Sequence, residues 1–344
     1  MLVAALVMSA VAGCADTTAA AQSADDTTDP RTGGRLYAPT SPFNEAIPAD
    51  PQIDPRSADY VELLKRSKKE RDFVLSVTEW TVPAYFAQRE TKRHDVRIAG
   101  QPPGAHYDRS FAHDVRRVMR GVPIPDGARP DPMEDAHLSV IDPATGCEYD
   151  LYGAKHTSDG WTALWANVTS TTGSGIYPRG LSTRATGFAP LAGMIWPAEL
   201  RRGRIDHALV FAYPYTRSGG PVHPATAGDG KTGWSGALPQ GARLQLDPTL
   251  DLVPLKLSPY ERTIAEALQK YGMLLGDTGG ALALYAVSPQ SFGTNPYKGM
   301  LPDEPYVGLK LPVDRFRVLA TGPQQARTPL SVDASPCATI EILA

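Results

Sequence analysis

"GRIDHALVFAYP" (residues 203–214) reads as a β-strand with apolar residues on both faces. Alternation sets His207 with Ile205, Leu209 and Phe211 on one side, and Asp206 with Ala208 and Val210 on the other. A strand that is apolar on both sides is covered on both sides, so this stretch predicts a buried strand in a layered β-fold. It also places an acid and an imidazole side by side at the strand's entrance.

The neighbouring sequence agrees with a β-rich reading. "AHLSVID" and "CEYDLYGA" flank the turn "PATG" (143–146), which predicts a hairpin. "FVLSVTEWTVPAYFA" (73–87), "HDVRIAG" (94–100) and "GWTALWANV" (160–168) are β-like. "MLLGDTGGALALYAV" (273–287) predicts a second hairpin around its Gly-Asp-Thr-Gly-Gly centre. Residues 102–135 read as a linker, and the proline-rich stretch 41–55 as an extended surface arm. Helices are few: one after Ser57, one at "WPAELRRG" (196–203), and one at "SPYERTIAEALQKYG" (258–272). In the last, Ser258 caps, Pro259 starts, Glu261 completes a capping box and Gly272 stops the helix. The expected fold is mainly β: a single β-sandwich or jelly-roll-like domain over 36–344, decorated by a few short helices.

The 344 residues are 42% apolar and 21% charged, a globular composition. A net charge of −3 with interspersed signs gives no basic field for nucleic acid or an anionic membrane. The run "MLVAALVMSAVAGC" has the length of a signal peptide, and Val11-Ala12-Gly13-Cys14 resembles a lipobox. Residues 1–14 are therefore expected to be a lipoprotein signal with Cys14 lipidated, and 15–35 a polar tether. The expected location is outside the cell, lipid-anchored to the outer face of the membrane or secreted. Cys147 and Cys337 then remain in an oxidising compartment and are expected to form a disulfide.

Several motifs fail on context. "ATAGDGKT" (225–232) lacks the first glycine of a phosphate-binding loop, and a strand and helix around it. Asp277-Thr278-Gly279 has no second such triplet to make an aspartic dyad, and reads as a turn. "GWSGA" (233–237) lacks the last glycine of a nucleophile elbow, which leaves Ser235 a weak nucleophile. No zinc signature and no cofactor motif is present.

What remains is two similar pairs at strand starts, Asp135-Ala136-His137 and Asp206-His207. Each histidine is either a half-buried structural group or part of a site. If the strands are neighbours, the pairs meet as a catalytic set. The run of "DAHLSVIDPATG", "RGRIDHALVFAYP", "LPQGARLQLDP" and "IAEALQKYGMLLGDTGGALALYA" resembles a family of exported proteins of high-GC bacteria, over roughly residues 120–290. The resemblance implies one exported domain and ties the two Asp/His pairs into one design. It assigns no activity.

An exported β-rich domain with aromatic residues in loop-like stretches is expected to meet a polysaccharide or cell-wall glycan, as a monomer. Trp161, Trp165, Trp234, Tyr152 and Tyr177 are candidates to stack on sugar rings, with core packing as the alternative for each Trp. A glycoside hydrolase needs two carboxylates, for which Asp135 and Asp206 lead and Glu134, Glu148 and Asp229 follow. A lyase would instead raise His137 and His207 to the reacting base. A non-catalytic glycan- or partner-binding surface protein is the alternative.

Overall fold

The structure, a computed structural model, describes residues 29–71, 73–101, 103, 116–178, 181–234, 236–325, 337 and 340–343. Cys14, the apolar run and residues 15–28 lie outside the described residues, as does Ser235. The fold is mainly β, with sixteen strands and three α-helices among the described residues.

Seven strands form a mixed, open sheet: β1 (Phe73–Ser76), β10 (Leu209–Tyr213), β11 (Arg243–Leu246), β12 (Met273–Thr278), β13 (Leu282–Tyr285), β14 (Tyr306–Gly308) and β15 (Phe316–Val318). Their order is β14-β1-β13-β10-β12-β11-β15. The opening stretch supplies β10, the middle strand, fully buried along its length. Its two faces look into different cores. Leu209 and Phe211, with Phe73, Leu75, Leu282, Leu284 and Met273, pack under helices α1 (Ser57–Arg71) and α3 (Pro259–Lys270). Ala208, Val210 and Leu274 face the other way, into a core shared with the remaining sheets. As read from sequence, α3 starts with the Ser258–Glu261 capping box, both Ser258 N and Oγ donating to Glu261 Oε2.

A four-stranded sheet lies on that second side: β2 (Ala84–Phe86), β5 (Leu138–Asp142), β6 (Cys147–Tyr152) and β9 (Trp165–Ser170). The predicted hairpin is β5–β6, paired from Leu138↔Leu151 to Asp142↔Cys147. A five-stranded sheet holds β3 (Arg93–Ile98), β4 (Arg116–Pro123), β7 (Lys155–Thr157), β8 (Gly160–Ala163) and β16 (Ile340–Leu343). Strand β4 falls within the stretch read as a linker.

Two further expectations change. The pieces of "MLLGDTGGALALYAV" do not pair as a hairpin, because β10 lies between β12 and β13. The Gly279-Gly280 connection crosses the end of β10, and a Cβ at Gly279 would stand 2.7 Å from that of Ala212. A tight turn cannot make that crossing, but glycine can approach closely enough. The arm at 41–55 is not all surface: Phe43 is buried edge-on to Phe188, and its carbonyl accepts from Ala208 N. Residues 29–35, expected in the tether, pack on the domain through Arg31 over the Phe86 ring and Gly33 against Arg202.

Cys147 and Cys337 form the expected disulfide across 190 residues. It ties the C-terminal segment, which carries β16, to β6. Cross-linking so long a loop restricts the unfolded chain strongly. The Cys147→Ala/Cys337→Ala variant is expected to lose about 2–5 kcal/mol in urea unfolding; an unchanged midpoint would show that the bond does not hold the fold.

Candidate functional site

A cavity of about 680 Å³ opens between the seven-stranded sheet and the turn that precedes β5. Its floor is the sheet face turned away from the helices: Val74 and Ser76 of β1, Ala212 of β10, Ala283 and Tyr285 of β13. Small side chains at Ser76, Ala212 and Ala283 leave the space that a leucine would fill.

Strand alternation in "MLLGDT" would send Asp277 to the helix side with Met273 and Leu275. A bulge prevents this. Phe211 pairs with Leu275 and Ala212 with Asp277, leaving Gly276 as the extra residue. The bulge turns Asp277 onto the cavity face beside Ala212. Position 276 must be glycine, since a Cβ there would meet Val210 Cγ2 at 2.2 Å. Its carbonyl accepts from Thr186 Oγ1 at 2.7 Å.

Asp277 meets charge from three sides. Burial, then the charges of Asp229 and Asp135, push its carboxyl up to about 8, against the opposing pull of Arg184. A quarter of the Asp277 side chain remains open, 26%, and Arg184 Nη1 stands 3.8 Å from Oδ2. Asp229 is fixed by Gln240 Nε2 at 2.6 Å and by Thr278 Oγ1 at 2.7 Å. Arg184 is 5% exposed, anchored by Nη2 donating to the Pro190 carbonyl, and set over the Tyr285 ring at 5.2 Å. Its Nε has no partner.

Asp135 and His137 both line this cavity. They can because Ala136 between them adopts φ 41°, the left-handed region rare for a side-chain-bearing residue. The turn is tied down by Asp131 N to His137 O and by Gly153 N to Asp135 O. Burial pushes Asp135 upward, helped by Glu134 and Asp229 and opposed by Arg184. Burial and the Arg184 charge push His137 down to about 3, so its imidazole is neutral, with Nδ1 buried and unpartnered. At the rim stand Trp80 and Tyr306, 40% and 38% exposed. Trp80 is also left-handed, φ 51°, and Asp131 Oδ1 holds the adjoining Thr81 N. Two such residues at one cavity mark a locally strained site.

Asp206 and His207 stand elsewhere. Both precede β10, whereas the cavity meets β10 at Ala212, roughly 16 Å further along at ordinary strand rise. His207 is buried beneath α2 (Pro197–Arg202): its Nε2 lies 3.1 Å from Glu199 Oε1, and Nδ1 lies 2.9 Å from the Ala208 carbonyl oxygen. Burial opposes its charge, but the Glu199 charge and these hydrogen bonds prevail and raise its pKa. Asp206 binds Arg202 and Arg204 at 3.3 and 2.8 Å. The two Asp/His pairs therefore do not form one set. Alternation along the strand shows what shares a face, not which end of a sheet opens.

The aromatic candidates divide likewise. Trp161 is buried and stacked on His156, and Trp165 is buried with Nε1 donating to the Leu181 carbonyl, so both are core. Tyr177 is buried, its hydroxyl donating to Asp150. Glu148 is sealed beside Asp150 and accepts from Tyr37, an interior acid pair away from solvent. Glu134 is exposed, and so is Trp234, at 55%, but neither lines the cavity. Tyr152 approaches the site from behind His137, ring centres 5.5 Å apart. Asp277, read in the sequence as part of a turn, lies instead within β12 and faces the cavity, while Arg184 and Tyr285 went unread. Arg184 sits in "LSTRATG", which matches no motif.

No family model, curated protein or solved structure matches this chain. Among the described residues, no group of three or more histidine, cysteine or acidic side chains is placed to hold a metal ion.

Two outcomes follow from these charges. Removing His207 takes from the buried Glu199 its nearest cationic partner and leaves it only the Trp196 amide and Arg202 at 3.9 Å, so His207→Ala is expected to cost about 3–5 kcal/mol in urea unfolding. Because the His207 pKa is raised, that contribution is complete below the ordinary imidazole value and shrinks as pH rises through the raised one. Asp277 behaves oppositely to a salt-bridged acid. Its folded pKa near 8 exceeds the unfolded value of 3.8, so folding binds a proton and stability falls as pH climbs from about 4 to 8. Asp277→Asn is expected to remove that slope and raise Tm at pH 8; a melting temperature equal to wild type across the range would refute the shift.

Proposed function

We propose that this chain is an exported, membrane-tethered enzyme that hydrolyses a glycan, with Asp277 as general acid and Asp135 as the second carboxylate. The observation that carries the reading is two acids, Asp277 and Asp135, lining one open cavity, with burial and neighbouring carboxylates pushing Asp277 up to about 8 and Asp135 upward. Glycoside hydrolysis needs this division of labour between two carboxyl groups. The Asp277 proton passes to the glycosidic oxygen as the C–O bond breaks. Asp135 receives the proton of the attacking water, or attacks first and is released by water. Arg184 lies where it can balance the charge left on Asp277. Trp80 and Tyr306 at the rim offer ring faces to pyranose C–H groups.

The lyase reading is weaker on chemistry. It needs a base, yet His137 is pushed down to about 3 and burial pushes Tyr285 well above its ordinary value. A non-catalytic binder would leave the protonated acid without a task.

Purified protein on a panel of polysaccharides is expected to release reducing ends without new ultraviolet absorbance. Asp277→Asn and Asp135→Asn are expected to lower kcat by about 10²–10⁴ while the fold persists. The wild-type rate should fall above pH 8 as Asp277 loses its proton. Unsaturated products would indicate a lyase, and glycan binding unchanged in both variants, with no turnover, a binder.

A further inference from the structure

Strands β10 and β12 run parallel, and both end at the cavity, through Ala212 and Asp277. Both also begin at one place. Arg204 and Asp206 precede β10, and Lys270 and Tyr271 precede β12; together with Arg35 and Arg202 they line a separate open depression of about 650 Å³. Four cations stand there against one carboxylate, on a chain whose net charge is −3. Composition gives no hint of this patch, because its members come from three distant segments and only the fold gathers them. Asp206 binds Arg202 and Arg204 on one side, leaving Arg204 70% exposed and Lys270 exposed.

The loop that closes the depression, Thr32–Arg35, lies a few residues after Asp29, where the described chain begins. Residues 15–28 separate Asp29 from Cys14, and such a segment reaches at most about 50 Å. An anchor at Cys14 therefore keeps this face within reach of the bilayer.

We infer that the cationic face is a docking surface for anionic phospholipid headgroups, which orients the enzyme with its cavity away from the membrane. The inference rests on the lipid-anchored reading above. Clustered Lys and Arg near a membrane attract anionic lipid over about a Debye length, and salt weakens the attraction. Asp277 lies six positions beyond Tyr271 along the chain that forms β12, so the cavity stands about 20 Å from the docking face at ordinary strand rise. In this pose a polymer outside the membrane meets the cavity while the sheet's other end faces the lipid.

The test uses the full chain with Cys14→Ser, so that no lipid is attached, and sedimentation with phosphatidylcholine vesicles with or without phosphatidylglycerol. The apolar N-terminal run acts equally on both vesicle types, so the difference between them reads the patch. Phosphatidylglycerol is expected to raise binding about tenfold at low salt, and Arg204→Glu/Lys270→Glu to abolish that increment while far-ultraviolet circular dichroism and glycan turnover show the variant folded. Equal binding to both vesicles would overturn the inference, as would an increment that survives in the double variant. So would an increment insensitive to salt. Loss of the increment to millimolar inorganic phosphate, with phosphate protecting the protein against heat, would assign the patch to a soluble phosphate and also overturn it. The anchor is read separately by mass spectrometry of the mature wild-type N-terminus, and the hydrolase by turnover, so each reading fails on its own measurement.

Discussion

Val210 occupies the space where a side chain at position 276 would go, and the backbone there carries one residue more than β10 opposite it. The arrangement at the cavity depends on that bulge. Without it Asp277 would point into leucines under the helices, where a carboxyl has no partner. With it, Asp277 sits among Asp229, Asp135 and Arg184, and the neighbouring Thr278 hydroxyl is free to hold Asp229. One glycine thus sets both the direction of the acid and the field that keeps it protonated. Bulges recur beside functional sites for this reason.

The parts of the fold written in local pattern were legible. The two-faced apolar run gave β10, the proline-and-glycine turn gave β5–β6, and the capping box gave α3. What escaped was non-local. "MLLGDTGGALALYAV" carries turn chemistry at its centre, but nothing in it says that another strand will slide between its halves. "GWTALWANV" looks like one strand and divides at Leu164 into two sheets, which sends both tryptophans into the core. Of the site, Asp135 and His137 were legible because an acid and an imidazole at a strand start are unusual. Asp206 and His207 share that signature and serve structure: one anchors arginines, the other neutralises Glu199 beneath a short helix. Residue type at a strand start does not distinguish the open end of a sheet from the closed one.

Acids are used in two ways in this molecule. Around the cavity, Asp135 and Asp277 keep partial contact with solvent. Behind the four-stranded sheet, Glu148 and Asp150 are fully sealed, and their oxygens are satisfied by Tyr37, Tyr177, Ser139 and the Leu191 amide. Burial raises both, Glu148 well above its ordinary value and Asp150 to about 6. Such a pair is tolerated in a core only when protons and hydroxyls replace the lost water. Its members lie on the same face of β6, next to the Cys147 disulfide, so cross-link and polar network fix the same strand.

The order of strands in the large sheet also has a kinetic side. β1 takes its partners from β13 and β14, roughly 200 residues later in the chain. The central strand cannot be flanked until β12 and β13 have both been made. Contacts of such sequence separation must overcome loop-closure entropy before they return any stabilisation, which slows folding. β1 thus waits unpaired until the C-terminal half arrives, whereas every strand of the four-stranded sheet lies between Ala84 and Ser170, so that sheet can close while the large one still lacks its centre.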